Sequence, residues 1–269
     1  MYPYLARIGS VTIHTYGVVL VAAFLVAIWL TGRALRDWPS HLAALSPGMA
    51  GEWGSLTMLG GLVGGRAWYV LQHWDVFVRQ PMEIPAVWHG GLVWYGGFLG
   101  GVLATWACVR HRRLPLLRVL DQVVPFVALG HGIGRIGCLL NGCCFGEPTN
   151  AWFGMVFPLE PEVIRMPTQA FEALALVALY ALLRTLQRPA VLSRPGTLFG
   201  IYLIGYALVR FLLEFLRGDQ TASWGPWTIP QLVSLPVGVV GLLLVVVQWG
   251  RHGAQLPSQR RTQRSGPTP

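Results

Sequence analysis

Long apolar stretches alternate along the chain with short connectors rich in arginine, proline and glycine. A helix needs roughly 20 mainly apolar residues to cross a bilayer. Seven stretches reach that scale, at about 16–35, 48–72, 92–109, 119–140, 168–186, 197–216 and 229–249. The second and fourth are the least apolar and the richest in glycine, and no soluble domain fits between any two of them. The longest connectors, roughly 73–91 and 141–167, fall on the same side. The pattern predicts an all-α integral membrane protein with seven transmembrane helices over residues 1–250. A disordered basic tail, 251–269, is expected to follow.

Composition strengthens this reading. Of 269 residues, 54% are hydrophobic and 12% charged, with mean hydropathy +0.52, against about 25% charged residues in soluble domains. The start, MYPYLARIGSVTIHTYG, lacks the basic region, short apolar run and small-residue cleavage site of a signal peptide. The first span is therefore expected to stay attached.

A net charge of +9 and a pI near 10.0 raise the question of nucleic acid. The placement of the charge answers it. All 20 basic residues are arginines, and most sit in connectors, which reads as topology and contact with anionic lipid head groups, not a nucleic-acid face. Arg33, Arg36, Arg110, Arg112, Arg113, Arg118, Arg184, Arg188, Arg194, Arg251, Arg260, Arg261 and Arg264 fall on one side. Arg7, Arg79, Arg165 and Arg217 fall on the other. The positive-inside rule then places the C-terminus in the cytoplasm and, with an odd number of spans, the N-terminus outside. Trp74, Trp88, Trp152, Trp224 and Trp227 lie in or beside the outer connectors, as an interfacial aromatic belt would.

Three arginines remain inside the spans: Arg66, Arg135 and Arg210. Each costs about 2.5–3.5 kcal/mol at a helix centre, so such residues point to function or to buried partners. Glu172, Glu214 and Asp121 are the available acids, and Arg210 and Glu214 stand at i,i+4 on one helix. The expected topology puts all three arginines toward the outer half of their spans. A shared anionic ligand explains that placement, and arginine is suited to bidentate phosphate contacts. A phospholipid supplies a phosphate at that depth.

Glycines cluster as GGLVGGR (60–66) and GGLVWYGGFLGG (90–101). They read either as close helix packing or as room for a lipid head group. The segment GHGIGRIGCLLNGCCFGEP (130–148) holds Arg135, His131, Asn141 and three of the four cysteines. No CxxC pair meets a second one or an HxxxH, which argues against a structural zinc site; no metal or cofactor is assigned to the site. Four readings of Cys138, Cys143 and Cys144 stay open: small packing residues, a bridge from Cys138 to Cys143 or Cys144, a nucleophile, or a metal site.

These segments together resemble the bacterial phosphatidylglycerol–prolipoprotein diacylglyceryl transferases. HTYG (14–17), GGRAWYVL (64–71), VWHGGLVWYGGFLGG (87–101), GRIGCLLNGCCFG (134–146), RMPTQAFE (165–172), LIGYALVRFLLEFLR (203–217) and QLVSLP (231–236) are similar to that family's motifs, in the same order. The resemblance implies a seven-span inner-membrane enzyme with its active site toward the periplasmic face. The reaction implied moves the diacylglyceryl group of phosphatidylglycerol onto the lipobox cysteine of a prolipoprotein, giving a thioether and releasing glycerol phosphate. Arg135 and Arg210 match the arginines assigned to phosphate binding and catalysis, and Tyr16 matches a first-span tyrosine. Asn141, Gly146, Tyr206 and Glu214 match further site positions, and Arg66 and Tyr95 fall in the family's glycine-rich segments.

The chain departs from the family at three of these positions. Tyr95 stands where a histidine is usual, and Cys138 and Cys143 stand where asparagine and glutamate are usual. Tyrosine, with a pKa near 10, is a poor base at neutral pH. His131, four residues before Arg135 and on the same helical face, is the candidate replacement base; His14 and His89 are further ones. The departures leave two rival readings: a paralogue with another acceptor or lipid donor, and a non-catalytic phospholipid-binding membrane protein.

Overall fold

The computed structural model describes residues 4–8, 11–38, 41–218 and 227–262, with 8, 11–12 and 251–262 as backbone alone. A hairpin of β1 (Tyr4–Ile8) and β2 (Val11–His14) leads directly into α1 (Thr15–Arg36). Helix α2 (Pro47–Gln72) starts where the Ser46 hydroxyl accepts from the Met49 N–H, with proline at the first helical position. After α3 (Trp74–Phe77) come α4 (Trp94–His111) and α5 (Leu116–Asn141). A second hairpin, β3 (Met155–Phe157) with β4 (Glu160–Arg165), precedes α6 (Thr168–Leu186), α7 (Pro189–Leu192), α8 (Thr197–Glu214) and α9 (Ile229–Thr262).

Five of these helices are long and apolar enough to cross a membrane: α1, α5, α6, α8 and the Ile229–Gly250 part of α9. The protein is thus mostly helical, with two short hairpins in connectors where the hydrophobic pattern predicts only loops. The helical backbone runs on through 251–262, inside the stretch expected to be a disordered tail. Residues 263–269, with Arg264, and Trp224 of the expected belt lie outside the described residues. Trp74, Trp88 and Trp152 are exposed.

Helix α5 packs against α1, α6 and α8, while α9 lies on α8 and the α2–α4 pair lies against α1. Val124 and Ala128 of α5, Leu176, Leu179 and Leu183 of α6 and Leu198 of α8 form one core cluster. Leu35, Leu45, Ala50, Val109, Val119 and Val123 form a second. Buried polar side chains of α5 tie in neighbouring segments. The Asp121 carboxylate accepts from the backbone N–H groups of Gly196 (2.6 Å) and Phe199 (2.8 Å), capping the start of α8. Asp121 is therefore a helix cap and not an arginine partner. Gln122 Oε1 accepts from Leu45 N–H at 2.9 Å and holds the α1–α2 connector.

The glycine clusters meet each other. A Cβ on Gly64 would overlap the Gly96 carbonyl oxygen, one on Gly60 would come within 2.8 Å of the Gly100 oxygen, and Gly100 in turn abuts Gly60. Small residues four apart on both helices let α2 and α4 touch backbone to backbone. That is the helix-packing reading of these motifs.

Candidate active site

Helix α5 presents His131, Arg135 and Cys138 at i, i+4 and i+7, which a 3.6-residue repeat sets along one face. Helix α6 brings Glu172 opposite them. The Arg135 Nη2 lies 2.9 Å from Glu172 Oε1, and His131 Nε2 lies 4.0 Å from the same oxygen. From α8, Arg210 Nη1 stands 3.9 Å from Glu172 Oε2, while its Nη2 lies 2.9 Å from Glu214 Oε2, one turn on. Thr228, at the start of α9, donates its hydroxyl to Glu214 Oε1 at 2.8 Å. Two guanidiniums from separate helices thus converge on one carboxylate, whose side chain is 4% exposed.

The cluster is charge-balanced but not hydrogen-bond-saturated. Among the described residues, Arg135 Nε and Arg210 Nη1 are buried donors with no hydrogen-bond partner, and Glu172 Oε1 and Glu214 Oε2 are buried acceptors with none. Such donors are costly unless something accepts from them, and an anionic oxygen is the acceptor that suits two arginines. Tyr206 closes one side, its ring 5.3 Å from that of His131 and stacked on Tyr202. Tyr16, in the first turn of α1, lies beside Gly137 of α5, where a Cβ would crowd Val19 Cγ1 at 3.1 Å and touch the tyrosine ring at 3.4 Å.

Beyond α5 the chain is shaped by two glycines. Gly142, with φ 77°, follows Asn141 and ends the helix in the left-handed conformation that favours glycine. Gly146 passes between the end of α8 and the start of α6; a Cβ there would overlap the Leu216 carbonyl and lie 2.7 Å from Thr168 Cγ2.

The structure places other sequence candidates elsewhere. Arg66 is 7% exposed, but its Nε donates to the Ile84 carbonyl (2.8 Å), Nη1 to Gly90 (2.6 Å) and Gly91 (3.2 Å), and Nη2 to Glu83 (2.5 Å). Tyr69 and Phe77 flank the guanidinium. Arg66 clamps the connector between α2 and α4, with carbonyl oxygens where the sequence reading put a phosphate. Tyr95 lies on α4, 63% exposed, against Trp94. His89 pairs with Glu83 on the exposed connector at 2.8 Å, and the His14 ring lies 5.2 Å from that of Tyr4. Arg66→Met is expected to lower stability by about 3 kcal/mol, because several carbonyls lose a charged donor at once. Thermal unfolding in detergent checks this.

Sequence reasoning named Glu172 as a possible ion partner but not as the residue on which the site is centred. Its signal was an acid near the start of an apolar run, four residues after a threonine and three after a glutamine.

A sequence model of the family described as prolipoprotein diacylglyceryl transferase matches residues 3–247. The phosphatidylglycerol–prolipoprotein diacylglyceryl transferase of Cupriavidus metallidurans is 35% identical, the alignment covering 96% of this chain and 97% of the relative. The corresponding proteins of a Nostoc species and of Rhodospirillum rubrum are 32% and 36% identical. Those alignments cover 97% and 91% of this chain, and 95% and 91% of the relatives.

Proposed function

The chain belongs to the prolipoprotein diacylglyceryl transferase family, and from that premise we propose that the cluster of Arg135, Glu172 and Arg210 is where phosphatidylglycerol gives up its diacylglyceryl group. The activity is that of a phosphatidylglycerol–prolipoprotein diacylglyceryl transferase, the first step of lipoprotein lipidation. The acceptor is the lipobox cysteine thiol of the prolipoprotein. Its sulfur attacks the glyceryl carbon that bears the phosphate ester; a C–S bond forms, the C–O bond breaks, and glycerol phosphate leaves with the electron pair.

Negative charge gathers on the leaving phosphate as that bond breaks. Fixed guanidiniums stabilise it more strongly than water does, because they sit in low dielectric and need no reorganisation. The observation that carries this reading is the pair of buried, unpartnered donors, Arg135 Nε and Arg210 Nη1, on either side of Glu172. Glu172 and Glu214 hold the two guanidiniums in place. His131, beside Glu172, takes the thiol's proton. Tyr16 and Tyr206 line the site, and Asn141 and Gly146 shape the turn beyond it.

The same reading extends to topology. Helices α2 and α4, of 26 and 18 residues, are about 39 and 27 Å long at 1.5 Å per residue, the first longer than a hydrocarbon core of about 30 Å and the second at the short end of the roughly 17–25 residues of a spanning helix. Their glycines lower the mean hydropathy yet face each other. Counting both gives seven spans, with the N-terminus and the site toward the periplasm and the C-terminus in the cytoplasm of an inner-membrane enzyme.

Purified protein mixed with phosphatidylglycerol and a lipobox peptide is expected to yield a diacylglyceryl thioether peptide and one glycerol phosphate per turnover. A peptide with serine at the acceptor position is expected to give neither. Phosphatidylglycerol binding with no product overturns the reading in favour of a non-catalytic lipid-binding protein.

A further inference from the structure

Three thiols that the transfer chemistry leaves unused converge at the end of α5. We infer that Cys138, Cys143 and Cys144 form a three-thiolate site for a thiophilic divalent cation, zinc being the fitting ion. All three sulfurs lie within 4.8 Å of one another, and all are free thiols. Zinc–thiolate bonds are about 2.3 Å, which sets the sulfurs of a tetrahedral site about 3.8 Å apart. Side-chain adjustments of about an ångström close the present arrangement onto an ion.

The convergence follows from how the helix stops. The N–H of Gly142 donates to the carbonyls of Cys138 and Leu139, and that of Cys143 donates back to Cys138 (3.2 Å). This six-to-one closure folds the second residue beyond the helix over its last turn, where two hydrophobic side chains ordinarily meet. Here two thiols meet instead. Cys144 then adopts φ 66°, a costly conformation for a residue with a Cβ and one that clusters at ligand sites. Its Sγ stands 3.6 Å from that of Cys143.

Neighbouring side chains already fix this backbone. The Thr168 hydroxyl donates to the Cys144 carbonyl (3.0 Å) and Gln169 Nε2 to the Cys143 carbonyl (2.5 Å). Pre-ordered ligands reduce the conformational cost of binding, and outer hydrogen bonds of this kind orient metal ligands. Cys138 is buried while Cys143 and Cys144 are half-buried, which leaves the connector side open for an ion to enter. Loading exchanges the thiol protons for the cation and releases them to water.

One consequence rests on the proposed transferase site. Three thiolates outweigh the charge of a dication, so the loaded site is anionic. Cys138 lies three residues, about one turn, from Arg135 on α5. The loaded site therefore competes with the lipid phosphate for Arg135.

The test is zinc binding to the full-length protein in detergent, purified without reductant and titrated with zinc alone. One zinc per chain is expected, with proton release, and cadmium in its place is expected to give a thiolate charge-transfer band. Cys138→Ser and Cys144→Ser are each expected to weaken binding at least tenfold, and Cys108→Ser to leave it unchanged. Zinc is expected to raise the KM for phosphatidylglycerol several-fold in the wild type but not in Cys144→Ser. Absence of binding, equal binding by the serine variants, or isolation of these thiols as a disulfide overturns the site. Zinc bound with an unchanged KM overturns its placement against Arg135 and leaves the transferase activity untouched.

Discussion

Arg135→Ala is expected to slow diacylglyceryl transfer by about 10²–10³-fold, the scale on which a single pre-positioned donor stabilises developing charge. The loss is expected chiefly in kcat. The ground-state phosphate of phosphatidylglycerol already carries one negative charge, but a second accumulates only as the ester bond breaks. A contact that strengthens with that charge lowers kcat and kcat/KM together when it is removed, whereas uniform phosphate binding raises KM alone. Arg135→Lys keeps the charge but replaces a planar fork with a point charge on a flexible stem, so it is expected to recover only part of the rate. Steady-state transfer to a lipobox peptide, with the mole fraction of phosphatidylglycerol varied in mixed micelles, separates these outcomes. An Arg135→Ala enzyme within twofold of the wild-type rate removes the guanidinium from the mechanism.

The arginine that behaves differently from expectation shows what one dimension conceals. Arg66 and Arg135 look alike in sequence, each set in a glycine-rich apolar run. Their difference lies in the connector 83–91, whose carbonyl oxygens fold over Arg66 and take up its donors. No spacing rule relates residue 66 to the backbone of residue 90. Pairs within one helix were legible for the opposite reason: His131 with Arg135, and Arg210 with Glu214, follow from a four-residue step. The joining of α5, α6 and α8 through Glu172 is a tertiary contact, and sequence could offer Glu172 only as one acid among three. Asp121 was offered on the same footing and caps α8 instead.

The long helices themselves were legible because length and apolarity are properties of a continuous segment. The stretch expected at 168–186 coincides with α6, and the others end within a few residues of their helices or, for the last, well short of the end of α9. The hairpins β1–β2 and β3–β4 were not legible. Their strands are three to six residues long, too short for an alternating pattern to stand out beside the spans. Around the cysteines the information was present but unread: Gly142 after a helical run predicts a left-handed stop, and that stop brings the positions of Cys138 and Cys143 together.

Glu172→Gln is expected to have the largest effect on stability, and its kinetic signature is expected to oppose that of Arg135→Ala. The substitution preserves shape but removes the one carboxylate shared by two guanidiniums, Arg135 at 2.9 Å and Arg210 at 3.9 Å. Taking one partner from a buried ion pair typically costs about 3–5 kcal/mol, since the remaining charge is left uncompensated. Glu214 still compensates Arg210, at 2.9 Å, so the excess positive charge falls mainly on Arg135. A lipid phosphate can supply the missing negative charge, because the native carboxylate and the proposed phosphate site share the same two guanidiniums. The variant is therefore expected to unfold at a lower temperature without lipid, to regain part of that loss when phosphatidylglycerol is added, and to show a lower KM for the lipid. Its kcat is expected to fall as well, because guanidiniums no longer held by Glu172 have to reorganise as the ester bond breaks. Thermal unfolding with and without phosphatidylglycerol, alongside transfer kinetics, reads all three. A raised KM with unchanged stability removes Glu172 from between the two arginines, and with it the reason that Arg135 and Arg210 act on one phosphate.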